Sequence, residues 1–398
     1  MALPSVNVNV TNQNFIVTNG EDSGDFLTGI LLYDKTLINA IGNTLEVNNE
    51  YIEVHSLTDW WARLSSNTGN GSGIVFDGFS GGEGAEYPIS SDEVRWPEGA
   101  TGSWKGDWWT VHNYLQYGGH AVLGVSLADP FTSTNTHSLN AVFGVSSGTD
   151  SYVDTILTDR GYDFMAVLNI EDKDQSSPPA GANSNKVYVY GSKYILPLGT
   201  SPTQISSDSD YIETRLDADV AGCMARTKRV ANFWYEPAGS SRGVIINGDN
   251  LKRPPTASEA TVLYDNRINP VLTFPGTGTI LFGNKTGATG GNVDDRIGAS
   301  MMIIYLKKEL GAAARELLFE RNDTISRSVF TNRATSVLEN VKRQHGILDY
   351  NIICDETNNS TDTINQGYFV ADVFVKPVKS IEYLQLTFTN KESDTAIN

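Results

Sequence analysis

Between residues 221 and 286 the chain twice lays down a short apolar run and then breaks it with proline and glycine, a rhythm that any fold must accommodate. The stretch opens with small and basic residues, Ala221, Gly222, Ala225, Arg226, Lys228 and Arg229, which predict a helix packed closely against a neighbour. Glu236-Pro237-Ala238-Gly239 predicts a turn, because proline fixes φ and glycine permits positive φ. Gly243-Val244-Ile245-Ile246 then reads as a short buried strand. Pro270 and Pro275-Gly276 punctuate two further apolar runs, and Ile280-Leu281-Phe282 reads as a second buried strand closed by Gly283.

The 398 residues suffice for two or three domains, and 39% hydrophobic against 19% charged residues describes a globular chain. Acids outnumber bases, 47 to 29, for a net charge of −18. Such a surface repels phosphates, so no nucleic-acid partner is expected. Cys223 and Cys354 lie far apart without CxxC spacing, which reads as simple thiols rather than a metal or disulfide framework. The first residues lack a basic, apolar leader pattern, and no run of about eighteen apolar residues occurs, so neither a secretory signal nor direct membrane insertion is expected.

Taken in order, Val6, Val8 and Val10 alternate with polar residues, a period-two strand at the start of the sequence. Leu31-Leu32-Tyr33 and 51–54 read as strands, and Ser56 to Asp59 as a helix start before Trp60. Residues 65–110 are rich in glycine and serine and read as surface loops anchored by Trp96, Trp104, Trp108 and Trp109. Gly118-Gly119 stops a helix before an apolar strand. His112 and His120 lack a third partner of metal-site spacing, so no metal is assigned to them. Strands are expected over 164–168 and 186–190, with a polar loop between; a calcium loop at Asp172 fails because Ser177 stands where glycine is needed.

Helical periodicity is clearest over 294–346, where Ile297, Met301, Ile304, Gly311, Ala314 and Leu318 share a face. Asn322-Asp323 breaks this helix, Thr324 starts another, and Gly346 ends it. With seven acids and nine bases, this segment is net +2 within a chain of −18. That charge reads either as an ordinary helix surface of paired ions or as a basic face toward an acidic partner. The strand 368–375, Pro377 and a second alternating run, 381–389, close the sequence.

Catalytic signatures are incomplete. Gly276-Thr277-Gly278 lacks the GK[ST] ending of a phosphate loop, Lys285-Thr286 lacks the preceding glycines, and neither GxSxG nor HExxH occurs. No cofactor, no metal and no enzymatic activity are expected.

The order and spacing of Trp234…Pro237-Ala238-Gly239…Arg242-Gly243, Asn269-Pro270, Pro275-Gly276-Thr277-Gly278 and Phe282-Gly283-Asn284-Lys285-Thr286, followed by Asp-Val-Phe-Val-Lys-Pro-Val-Lys-Ser-Ile-Glu-Tyr-Leu from Asp372, resemble contractile tail sheath proteins of phages and phage-like injection machines. The resemblance implies an α+β, multi-domain fold: an N-terminal linking arm (1–20), the first part of the core (21–64), an inserted β-rich outer region (65–206), an α/β core (207–375) and a C-terminal strand and arm (376–398). It implies sixfold rings of this chain, stacked helically around a tail tube, with baseplate and tail terminator proteins as further partners, in a virion assembled in the host cytoplasm. Contraction would drive the tube through an envelope without nucleotide hydrolysis. Under that resemblance Lys307, Lys308, Arg315, Lys342 and Arg343 are candidates for contacting the tube, and Val6, Val8, Val10, Ile381, Tyr383, Leu384, Leu386 and Phe388 for inter-subunit arms. Two other readings compete: a secreted acidic carbohydrate-binding or carbohydrate-active protein, suggested by the tryptophans, and another virion protein such as a capsid or tube subunit.

Overall fold

In the computed structural model, residues 7–10, 13–16, 26–31, 51–60, 75–76, 94–95, 104–124, 131, 138–144, 149–172, 175, 177–195, 212–248, 251–289 and 293–380 are described. At their centre lies a seven-stranded sheet. Its strands are β3 (Leu27–Leu31), β4 (Tyr51–Val54), β7 (His120–Gly124), β8 (Ala141–Gly144), β9 (Met165–Ile170), β10 (Lys186–Tyr190) and β13 (Ile268–Asn269), in the order β13-β10-β9-β8-β3-β7-β4. Every pairing is parallel except that of β4 with β7. Short pairs lie outside it: β1 (Asn7–Val10) with β2 (Gln13–Ile16), β5 (Val75–Phe76) with β6 (Val94–Arg95), β11 (Ser192–Ile195) with β12 (Ile212–Arg215), β14 (Val271–Phe274) with β15 (Gly278–Leu281), and β16 (Ile347–Ile353) with β17 (Asp372–Pro377).

A parallel sheet must be covered on both faces, and its strands accordingly read as continuous apolar runs. Side chains alternate between two cores. Ala121, Phe143, Met165, Val167, Val187 and Val189 point to one, with α1 (Trp104–Gln116) and α3 (Asp217–Val230). Val122, Val142, Ala166, Leu168, Tyr188 and Tyr190 point to the other, with α2 (Asp150–Asp159) and α5 (Ala257–Asp265). The short helix α4 (Gly239–Arg242) lies between α3 and β14 in the chain. Two long helices, α6 (Ile297–Arg315) and α7 (Thr324–Arg343), then pack with β16 and β17 into a C-terminal unit with small cores around Met302, Leu338 and Val341 and around Phe330 and Ala334. A short helix, α8 (Thr361–Asn365), lies between β16 and β17.

Local chemistry sets the helix ends. Thr256 and Glu259 form a capping box at α5. The Asp323 carboxylate accepts from the Ser326 amide at 2.9 Å, starting α7 at the residue expected. Gly118 carries φ of +81° after α1, as its position after the helix requires. At the end of α7 the left-handed residue is His345 (φ +60°); Gly346 is needed for space, since a Cβ there would lie 2.5 Å from Val341.

Several expectations need correction. Residues 104–110 are not loop: they open α1, where Trp108 is fully buried and Trp109 nearly so, and Trp108 stacks on Trp60 with ring centroids 5.7 Å apart. An outer region over 65–206 does not describe β7 to β10, which form the middle of the central sheet. A boundary at 375/376 cuts β17, which runs to Pro377. Residues 243–246 make only an isolated bridge, Val244 to Ile280, rather than a strand, and Phe282 is 53% exposed rather than buried. Leu318 lies beyond α6.

One polar cluster is wholly enclosed. Lys193 and Asp219 have fully buried side chains 2.7 Å apart. Asn113 of α1 and Tyr117 just beyond it donate to the same Asp219 oxygen at 2.7 Å each, and Lys193 also donates to the Asn113 side-chain oxygen at 3.0 Å and to the Ile246 carbonyl. The Ile246 amide returns a bond to the Tyr117 hydroxyl at 2.8 Å. Removing one partner of such a pair leaves a buried charge uncompensated. Lys193→Met should lower unfolding stability by about 3–5 kcal/mol in urea titrations, far more than a surface lysine change.

Candidate functional site

The residues that punctuate the sequence from 234 to 286 form a joint between the sheet body and the C-terminal unit. Trp234 Nε1 donates to the Gln344 carbonyl at the end of α7, at 3.0 Å. The Glu236 carboxylate accepts from the Gly298 amide in the first turn of α6, at 3.1 Å. A Cβ on Gly298 would lie 2.5 Å from the Trp234 carbonyl oxygen, so only glycine allows that approach. Arg226 of α3 donates to the carbonyls of Arg242 and Val244 and lies over the Tyr117 ring. Arg242 in turn donates to the Glu236 carbonyl at 2.8 Å.

The second motif is a clamp. Asn269, fully buried, donates to the carbonyls of Tyr188 and Lys285 and accepts from the Lys285 amide. Gly283 must lack a side chain because the Asn269 oxygen would sit 2.6 Å from its Cβ. Thr286 donates to the Asp294 carbonyl at 2.9 Å. Lys285 Nζ donates to the Tyr264 carbonyl and lies 3.6 Å from the Tyr264 ring centroid, so Lys285-Thr286 serves packing rather than a phosphate.

The C-terminal unit carries the most exposed apolar surface among the described residues. Phe319 (88% exposed, φ +71°) and Ile325 flank the α6–α7 connection, while Leu348 and Phe374 stand on the outer side of the β16–β17 pair. The inner side, Tyr350, Ile352, Val373 and Val375, packs on the helices. Among the described residues β16 and β17 pair only with each other. A two-stranded sheet is marginal by itself, and unpaired edges are templates for another strand.

The candidate cations separate into two groups. Lys307 is 9% exposed, and burial pushes its ammonium down to about 7, offset in part by Asp163 and Asp294. It faces inward at the body of the protein. Lys308 donates to the Leu139 carbonyl at 2.6 Å, and Arg315 is half-buried at the end of α6. Lys342 and Arg343 sit at the exposed end of α7; Lys342 meets Asp349 at 3.1 Å and Arg343 donates to Asn340 at 2.9 Å. Of the arm candidates, Val8 and Val10 lie in β1, opposite Phe15 and Gln13 of β2. Val6, Ile381, Tyr383, Leu384, Leu386 and Phe388 lie outside the described residues. His112 is held neutral, its pKa lowered to about 3 by burial against Trp108 and Trp109, whereas His120 meets His55. No group of three potential metal ligands occurs among the described residues, and none of their helices is long and apolar enough to cross a membrane. The exposed Phe319 and Ile325 had no periodic signal; the alternation of 372–375 does place Phe374 opposite Val373 and Val375.

Residues 296–391 match the model of the phage tail sheath C-terminal domain family. Over 179 residues the chain is 37% identical to the tail sheath protein of Vibrio phage KVP40, covering 45% of this chain and 27% of that protein. Over 210 residues it is 36% identical to the tail sheath protein of Enterobacteria phage T4, covering 52% and 32%. The matches thus span about a quarter to a third of the curated relatives' length. The fold is similar to the PVC sheath complex of an extracellular contractile injection system in its contracted state, with a TM-score of 0.68 at 14% identity over 98% of both chains.

The Lys307 environment gives a signed pH expectation. The folded ammonium loses its proton near pH 7, while an unfolded lysine keeps it to about 10.4. Between these values the unfolded chain binds more protons, so this site's cost to folding shrinks as pH rises and is full below pH 7. Measured against Lys307→Met, the natural chain should gain stability as pH rises from 7 toward 10 in urea titrations.

Proposed function

We propose that this chain, a relative of the contractile tail sheath proteins, is a sheath subunit that polymerises as stacked sixfold rings around a tail tube and drives the tube through a cell envelope by shortening. The observation that carries this reading is agreement of fold over nearly the whole chain with a contracted sheath, joined to 36–37% identity with phage sheath proteins over about half of the chain and the sheath family match over residues 296–391. Its partners are further copies of itself, the tube, the baseplate and the tail terminator. The work comes from exchanging one set of subunit contacts for another, so the protein needs no catalytic site. Of the tryptophans that suggested a carbohydrate-binding role, Trp108 and Trp109 are core.

The rings are joined by strands. The open β16–β17 pair accepts extended arms from neighbouring subunits, with main-chain bonds giving strength and alternate side chains giving register. The N-terminal residues around Val6 to Val10 and the C-terminal run from Ile381 to Phe388 supply those arms. A connector of this kind keeps rings attached while the bodies rotate.

The tube is met by the exposed end of α7. Lys342 and Arg343 replace Lys307 as the leading contacts, because only exposed cations can face an acidic partner. Single exposed pairs contribute about 0–1 kcal/mol, which many symmetric copies multiply.

Deleting residues 381–398 or 2–10 should leave a folded chain by circular dichroism that sediments as a monomer; long sheaths at normal yield from both truncations would sink the arm reading. Reversing Lys342 and Arg343 to glutamate should weaken assembly on tubes more than tube-free polymerisation, scored by electron microscopy; equal loss of both would refute the tube contact.

A further inference from the structure

A pair of phenylalanines stands at the surface beside the point where the described chain ends. Phe274 closes β14 and Phe282 follows β15, with ring centroids 5.2 Å apart. Phe282 is 53% exposed and Phe274 half-buried. Neither ring is there by slack in the backbone: the Phe282 amide donates to the Pro270 carbonyl at 2.9 Å, and the next residue, Gly283, is pressed against Asn269. The two rings form one exposed apolar patch held in place by the backbone.

The chain itself comes back to this place. After β17, the Val378 amide donates to the Gly346 carbonyl, and the side chain of Val378 is 41% exposed. Asn284, two residues beyond Phe282, then donates from its side chain to the Ser380 hydroxyl at 3.1 Å while accepting from the Tyr264 hydroxyl at 3.0 Å. Ser380 is therefore delivered to the edge of the patch. The sequence continues to residue 398 with a run in which Leu384, Leu386 and Phe388 fall on one side of an extended chain. From Ser380 to Leu384 such a chain reaches about 13 Å, and Phe282 stands only two residues before Asn284 in the sequence. Among the described residues β14 pairs only with β15, so its outer edge is also open to main-chain bonds.

We propose that the Phe274–Phe282 patch is the seat on which the chain's own residues 381–389 rest before subunits join, with Leu384, Leu386 and Phe388 against the rings. The consequence, which alone rests on the sheath reading, is control of assembly: an arm held on its own body is withheld from free neighbours. A neighbour's β16–β17 pair must out-compete a tethered site whose effective concentration is high. Polymerisation then waits for a template that presents several acceptor edges together.

Hydrogen exchange of the full-length chain, at a concentration where sedimentation shows monomer, tests the seat. Amides of 383–388 should exchange about tenfold more slowly in the natural chain than in F274S/F282S, whose fold is checked by circular dichroism. Should that variant misfold, L384S/L386S, which leaves the patch intact, must lose the same protection. Equal exchange in the natural chain and in either folded variant overturns the proposal, as does protection that grows with protein concentration, which would assign the patch to a second copy. Assembly after deletion of 381–398 is read separately, so loss of the sheath reading and loss of the seat are distinguishable.

Discussion

A lysine and an aspartate sealed from water hold the middle of this protein. Two charges are tolerable there because the pair is hydrogen-bonded by Asn113 of α1, by Tyr117 just beyond that helix and by the Ile246 carbonyl from the segment after α4. Burying an ion pair costs several kcal/mol per ion before attraction and hydrogen bonds offset it. That cost penalises any arrangement in which α1, α3, β11 and residues 243–246 are not together. The cluster thus fixes the position of one segment in particular, 231–248, and that segment carries Trp234 and Glu236 to the C-terminal unit.

The unit so held is thinly built. Its cores are small, its sheet has two strands, and Phe319, Ile325, Leu348 and Phe374 face outward. The central sheet, by contrast, is covered on both faces. The two parts are nonetheless joined through one face of α6, whose Ile297, Met301 and Ile304 share the core of the body.

Much of this was legible in the sequence because it depends on near neighbours. Asp323 capping α7, the strand at 186–190 and the glycine stop after α1 follow from local rules. The order of Trp234, Asn269 and Gly283 was legible as a family resemblance, although their work is long-range. What failed depended on contacts distant in sequence. Glycine-rich surroundings made Trp108 and Trp109 look like loop anchors, when Trp60 and His112 enclose them in a core. Lys307 looked like its neighbour Lys308, and only its burial in the fold shows that it turns inward. The β-rich appearance of 65–206 concealed the parallel order that makes its strands the centre of the sheet.

The joint at Trp234 and Glu236 grips main-chain atoms: the carbonyl of Gln344 and the amide of Gly298. Backbone groups are the same whatever side chain they carry. Beyond the glycines at 298 and 346, which leave room for Trp234, these two bonds place no demand on side chains, and the demand along α6 falls on its inner face, where Ile297, Met301 and Ile304 enter the main core. The outer surface of the C-terminal unit is thereby free to drift, generation by generation, without loosening its attachment to the body.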